Sequence, residues 1–199
     1  MNIPYKWREM RFPDSNLVSL LYKIEPRSGY AVDIGCGSGR HVKLLNDIGF
    51  NAIGVENDEK QLSLCYENKI DVINAALEDV TLQEKPVLIV AWGVSLLGNV
   101  TDFAQNIGRF DATWLVIDWR NQENSFYSAK DTIHHKNGLI TIGASGNHLA
   151  GLNYRIHKKN ECHIQGYDRI FIQKVTIDRQ ENGLQQVASW YQTIHKLTS

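Results

Sequence analysis

The sequence predicts an α/β fold: an open, mostly parallel sheet with flanking helices, followed by an antiparallel β-meander at the C-terminal end. Three observations predict it. From Tyr30 to about Asp118, short β-branched apolar runs alternate with amphipathic segments, the pattern of a parallel sheet with crossover helices. The first apolar run passes directly into three glycines at every second position, Gly35, Gly37 and Gly39, and then into a helical pattern. After Arg120 the turn-forming groups Asn137-Gly138, Ser145-Gly146-Asn147, Gln165-Gly166 and Asn182-Gly183 punctuate the chain, as strands joined by tight turns require.

The elements follow in order. Asp14 or Ser15 caps a helix whose apolar positions Leu17, Leu20, Leu21 and Ile24 recur at helical spacing, so an N-terminal helix packs on the sheet. Strands are expected at Tyr30 to Ile34, Asn51 to Val55, Asp71 to Asn74, Pro86 to Ala91 and Thr113 to Asp118, with helices at His41 to Ile48, Asp58 to Glu67 and Leu96 to Ile107. Beyond them, Arg169 to Ile177 and Leu184 to Leu197 read as strands. No Pro/Ser linker divides the chain, so one domain is expected over 1–199. Within it, 1–29 form a leader and helix, 30–120 the core, and 121–199 an antiparallel extension that offers a substrate or oligomer surface. The last hairpin either supplies the closing strands of the sheet or leaves a shortened sheet, and an uncovered strand edge is an association surface.

Composition sets the class. At 199 residues with 43% hydrophobic and 22% charged residues, the chain has the make-up of an ordinary globular protein. Lysine and arginine number 21 against 22 aspartate and glutamate, which provides no overall positive field for a phosphate backbone. A nucleic-acid partner is therefore not expected, and the short basic cluster of Arg155, His157, Lys158 and Lys159 reads as a solvated turn. No apolar run approaches the roughly 20 residues that span a bilayer, and Met1 to Arg8 lacks the apolar stretch of a signal peptide, so a cytoplasmic protein with no membrane partner is expected. Cys36, Cys65 and Cys162 are odd in number and lack zinc-site spacing; plain reduced thiols and no metal are expected.

The stretch Ala31-Val32-Asp33-Ile34-Gly35-Cys36-Gly37-Ser38-Gly39-Arg40 carries the most information. Glycines let the chain turn sharply at the carboxyl end of the first strand and let a ligand approach the backbone and the helix N-terminus. In an open α/β sheet that point is the topological switch where ligands bind. A dinucleotide fingerprint needs glycines at positions one, three and six, and the sixth position counted from Gly35 is Arg40. Seventeen residues beyond Gly39, the second strand ends in Glu56, whose acceptor-only carboxylate suits a ribose diol. The pair reads as a nucleoside site without a diphosphate. The alternatives are a glycine turn that merely permits close packing, and a Glu that caps the helix beginning near Asp58.

Asp33-Ile34-Gly35-Cys36-Gly37-Ser38-Gly39 with Glu56 resembles the class I S-adenosylmethionine-dependent methyltransferase superfamily, over roughly residues 15 to 120. The resemblance implies a Rossmann-like fold, S-adenosyl-L-methionine as cofactor and methyl transfer as activity. It implies that Asp33 helps hold the methionine amino group, that the backbone of Gly35, Cys36, Gly37 and Gly39 lies against the cofactor, that Glu56 grips the ribose and that Asn57 flanks the adenine. Where the family commonly has an adenine-binding Asp, this sequence has Ala76; the Leu77 N–H, with Glu78 or Asp79 as a shifted acceptor, is the replacement on offer. The family lines the space between cofactor and acceptor at the end of the fourth strand, here Trp92-Gly93-Val94-Ser95.

The sequence has neither the Asn/Asp-Pro-Pro-aromatic motif of amino-methylating DNA enzymes nor a Pro-Cys nucleophile, which favours a small-molecule acceptor. Trp92 is a candidate wall for a cationic or apolar acceptor. The string Ile117-Asp118-Trp119-Arg120-Asn121 is similar to glycine and sarcosine N-methyltransferases, implying an amine or amino-acid nitrogen. Asp118, His134 and His135 are candidate bases if the acceptor arrives protonated. Arg120 is a candidate carboxylate clamp, and Trp7, Arg8 and Arg11 lie in a leader placed to close over the site. The competing readings are a non-catalytic S-adenosylmethionine-binding protein, an RNA or protein methyltransferase, and a dinucleotide-dependent oxidoreductase, which the glycine spacing opposes.

Overall fold

A computed structural model describes residues 12–93, 100–124, 132–134, 139–142, 153–155, 159–160, 162–181 and 184–198. Helix α1 (Ser15–Leu21) is capped by Asp14, whose carboxylate accepts the Asn16 N–H, and it buries Leu17, Leu20 and Leu21. Ile24 is also fully buried, just past the helix. Then come β1 (Gly29–Ile34), α2 (Arg40–Asp47), β2 (Phe50–Glu56) and α3 (Glu59–Glu67), the last capped by Asp58 through the Lys60 and Gln61 N–H groups. Strand β3 (Val72–Asn74) leads into one turn of 3-10 helix at Leu77–Asp79, followed by β4 (Leu88–Trp92), α4 (Val100–Gly108) and β5 (Trp114–Asn124).

Strands β6 (Thr132–His134), β7 (Leu139–Ile142) and β8 (Asn153–Arg155) pair antiparallel in a small sheet of their own, while β9 (Tyr167–Glu181) and β10 (Leu184–Leu197) form a long hairpin. The main sheet has seven strands in the order β3-β2-β1-β4-β5-β10-β9. Its first five are parallel, and β10 runs antiparallel to both β5 and β9. The hairpin thus supplies the closing strands, and the shortened-sheet alternative falls. Of the expected helix Leu96 to Ile107, residues 96–99 lie outside the described residues, as do the turns at Asn137-Gly138, Ser145-Gly146-Asn147 and Asn182-Gly183. Among the described residues no helix is long and apolar enough to cross a membrane.

The two-residue period of the strands sorts side chains between two apolar layers. On one face Ala31, Leu88, Val90, Trp92, Trp114, Val116 and Ile194 meet Leu17, Leu20 and Leu21 of α1, Val42 and Leu45 of α2, and Cys65 of α3. On the other, Val32, Ile34, Ile89, Ala91, Leu115, Ile117 and Trp119 meet Phe103 and Ile107 of α4. This second layer contains one buried polar chain. The Trp119 Nε1–H donates to Thr193 Oγ1 at 2.7 Å, which lies 2.8 Å from His195 Nε2. Burial, helped by the Arg169 charge, lowers the His195 pKa to about 3, so the ring is neutral.

Candidate functional site

Parallel strands joined by crossover helices bring the carboxyl ends of β1, β2, β4 and β5 to one edge of the sheet, and the glycine loop lies there. Gly35 and Cys36 both donate their N–H to the Val55 carbonyl, at 2.8 and 3.0 Å, which ties the loop to the end of β2. Gly37 has φ of +57° and Gly39, the cap of α2, has +82°, a region that side chains oppose. The two differ in what surrounds them. A Cβ on Gly37 would meet only Gln61 Oε1 at 3.6 Å, whereas one on Gly39 would lie 2.7 Å from the Ile70 side chain. Ile70 thus fills the space over Gly39, while Gly37 leaves an open backbone.

Glu56 ends β2 and is tied to that loop. Its Oε2 accepts the Gly37 N–H at 3.0 Å, and its Oε1 accepts the N–H groups of Asn57 and Asp58 at 2.8 and 2.9 Å. The carboxylate thus bridges the glycine loop and the turn into α3. The cap of α3 is Asp58, not Glu56. A carboxylate offers about four lone-pair sites, so three backbone donors leave room at Oε2. Asn57 is exposed beside it.

Asp33 is the unusual group. It is 1% exposed, and among the described residues neither carboxylate oxygen has a hydrogen-bond partner. Burial pushes its pKa well above the ordinary carboxylate range, against the pull of the Arg40 charge. His41 Nδ1 lies 3.9 Å from Oδ2, beyond hydrogen-bond reach. The Asp14 N–H and the Arg40 Nε–H both point at His41 Nε2, at 3.4 and 3.2 Å, so the ring proton sits on Nδ1, facing Asp33. Burial, with Arg40 adding to it, lowers the His41 pKa to about 3; the neutral ring does not balance the Asp33 charge. A buried carboxylate with open acceptor sites calls for a cationic donor.

Beside Asp33, on the same face, lies a row across four strands. Trp92 pairs with Asp118, Asp118 with Gln192, and Gln192 with Gln173. Gln192 Nε2–H donates to Asp118 Oδ1 at 3.3 Å, and Gln173 Nε2–H donates to Gln192 Oε1 at 2.7 Å. Trp92 packs edge-on against His41 at 6.2 Å between ring centroids, and its buried Nε1–H has no partner among the described residues. Asp118 and Gln192 are fully buried.

The other expected positions lie on further elements. Ala76 precedes the 3-10 turn, and the Leu77 and Val80 carbonyls are both held by Arg109 Nη2, at 2.9 and 2.8 Å. His134 ends β6, in the small sheet and not in the main one. Arg120 lies in β5, its side chain outside the described residues; His135, Arg11, Trp7 and Arg8 lie outside them altogether. Sequence reasoning passed over His41, Cys65, Arg109, Gln173 and Gln192. His41 shares the i, i+4 face of Leu45, the one signal that could have placed it inward.

Residues 32–113 match a family model described as a methyltransferase domain. No curated protein matches the sequence. Among solved structures, a protein of Pyrococcus horikoshii is 14% identical with a TM-score of 0.72, covering 98% of this chain and 92% of its own. An S-adenosylmethionine-dependent methyltransferase of Methanosarcina mazei is 11% identical with a TM-score of 0.69, over 89% and 96%. The magnesium protoporphyrin IX methyltransferase of Synechocystis, solved with bound S-adenosylhomocysteine, is 12% identical with a TM-score of 0.61, over 97% and 88%.

Proposed function

Taking the chain as a class I S-adenosylmethionine-dependent methyltransferase, by its matched domain and its fold, we propose that it binds S-adenosyl-L-methionine over the glycine loop and methylates a small-molecule nitrogen. The observation that carries this reading is Asp33, a buried carboxylate whose two oxygens lack hydrogen-bond partners among the described residues; we assign it to the cofactor's ammonium, as the family resemblance implies. Gly37 leaves its backbone open to the ligand, and Glu56 retains acceptor capacity for the ribose hydroxyls. Asn57 flanks the adenine, with Ala76 and Leu77 opposite it. The cofactor supplies a methyl group on a sulfonium; the protein's task is to hold the acceptor in line with it and to exclude water.

The row Trp92, Asp118, Gln192 and Gln173 is our candidate acceptor surface. Gln192 orients the Asp118 carboxylate, and Gln173 orients Gln192 in turn. An acid and an aromatic ring side by side suit an amine, which the acid steers and relieves of its proton and the ring walls off. Arg120 and Arg11 are the candidate clamps for an acceptor carboxylate. We place all residues in one domain, since β9 and β10 complete the sheet of residues 30–120. The outer edge of β9, where Ile170 is exposed, is the surface for pairing with a second copy.

The test is transfer of labelled methyl groups from S-adenosylmethionine to a panel of primary and secondary amines, amino acids, RNA and protein. Label in amines or amino acids, lost in Asp118→Asn, is the expected result. Label only in RNA or protein would overturn the acceptor assignment. Tight cofactor binding with no transfer would favour a binding protein without catalysis.

A further inference from the structure

The glycine loop holds a thiol pair. Cys36 lies within the loop and Cys65 on α3, both buried, with their Sγ atoms 4.0 Å apart. They converge on one backbone group, because Cys65 S–H donates to the Gly37 carbonyl at 3.0 Å while Cys36 Sγ lies 3.7 Å from the same oxygen. Gly37 is thus gripped on both sides, its N–H by Glu56 and its carbonyl by Cys65. Cys36 sits over Gly54, where a Cβ would come within 2.4 Å of its Sγ.

We propose that Cys36 and Cys65 are an oxidation site, closing to an intramolecular disulfide that releases the Gly37 carbonyl and weakens ligand binding at the glycine loop. The effect on ligand rests on the cofactor reading above; the disulfide itself does not. A disulfide needs sulfurs about 2.05 Å apart. Closure draws the two sulfurs together from 4.0 Å, and the Cys65 sulfur leaves the Gly37 carbonyl as the bond forms. The Gly37 carbonyl then loses both of its thiol donors, Cys65 at 3.0 Å and Cys36 at 3.7 Å, in the loop whose other side Glu56 holds.

With hydrogen peroxide as oxidant, the Cys65 thiolate attacks one peroxide oxygen, an S–O bond forms, the O–O bond breaks, and the departing hydroxide takes a proton to become water. Cys36 sulfur then attacks Cys65 sulfur, the S–S bond forms, the S–O bond breaks, and the second hydroxide leaves with the Cys36 proton as water. Two thiols are oxidised and one peroxide is reduced to two waters. The Cys36 S–H beside Cys65 lowers the Cys65 pKa, while that same contact and burial raise the Cys36 pKa. Cys65 is accordingly the attacking member.

The experiment treats the full-length protein with hydrogen peroxide, alkylates it under denaturing conditions and weighs it, and in parallel titrates S-adenosylmethionine before and after oxidation. Alkylatable thiols should fall from three to one, leaving Cys162, with the mass of two hydrogens lost. Affinity should fall about tenfold, the worth of roughly one hydrogen bond, and dithiothreitol should restore both. Cys65→Ser, which keeps a hydroxyl for the Gly37 carbonyl, should retain its affinity after peroxide; Cys65→Ala serves if the serine variant does not fold. Three thiols persisting, a disulfide involving Cys162, unchanged affinity in the disulfide form, or an equal loss in the Cys65 variants would each overturn the proposal. If the reduced protein binds no S-adenosylmethionine, the cofactor reading fails and takes the proposed control of binding with it, and thiol counting still decides the disulfide.

Discussion

Replacing Asp33 by asparagine should make the free protein more stable and its cofactor binding weaker, two effects that a merely structural carboxylate would not couple. Both Asp33 oxygens are buried without hydrogen-bond partners, and an unsatisfied buried polar group costs about 1–3 kcal/mol, more when charged. Asparagine sheds the charge and should recover about 2 kcal/mol, which for a chain of this length is about 4–8 °C in Tm. The sign with pH follows from the raised pKa of Asp33. Between the ordinary carboxylate value of about 4 and that raised value, the folded protein binds the proton that the unfolded chain has released, so wild-type stability falls as pH rises. The gain in Asp33→Asn should therefore be small near pH 4 and fully developed above the window. Losing one partner of a desolvated charge pair costs about 2–4 kcal/mol in binding, roughly 30- to 1000-fold in Kd. Scanning calorimetry across pH measures the first effect and calorimetric titration with S-adenosylmethionine the second. A variant no more stable than wild type at neutral pH, or one that binds the cofactor equally well, would refute the reasoning.

Glu56→Gln keeps the shape but exchanges an acceptor-only group for an amide facing the Gly37, Asn57 and Asp58 N–H groups; a rise of about 10- to 100-fold in cofactor Kd is expected by the same titration. Thr193→Val strands the Trp119 indole N–H and the His195 ring nitrogen in the apolar layer opposite the site, so urea unfolding should show a loss of about 2–4 kcal/mol with cofactor affinity unchanged. His195, lowered to about 3 by burial, stays neutral where the unfolded chain takes up a proton. Its contribution is present above pH 6.5 and falls by about 1.4 kcal/mol per unit below it, about 2 kcal/mol at pH 5. His195→Gln should accordingly flatten the decline in Tm between pH 7 and pH 5 relative to wild type.

The parallel half of the fold was legible because each of its strands is a short β-branched run closed by Gly, Glu or Asn, and local pattern suffices to name such elements. The insertion of β10 between β5 and β9 was not, since it pairs Gln192 with Asp118 across a large separation in the chain, and no local signal encodes which distant strand is the neighbour. The same holds within the site. Asp33, Gly37 and Glu56 lie in one recognisable motif, but its glycines are not alike: Ile70 occupies the space over Gly39, a fact that depends on the turn after α3. Cys36 and Cys65, 29 residues apart, read as plain reduced thiols, and the crossover geometry of α3 brings them together. Arg109 carries no local signal in the sequence, yet it reaches back to the Leu77 and Val80 carbonyls, beside the alanine that stands in place of an acid.

The measurement that bears most directly on the account is calorimetric titration of the reduced protein with S-adenosylmethionine, S-adenosylhomocysteine and NAD. The account predicts saturable binding of both sulfur nucleosides at one site per chain, abolished or strongly weakened in Asp33→Asn, with no heat from NAD. Binding of NAD without either sulfur nucleoside, or binding of none of the three, would contradict it.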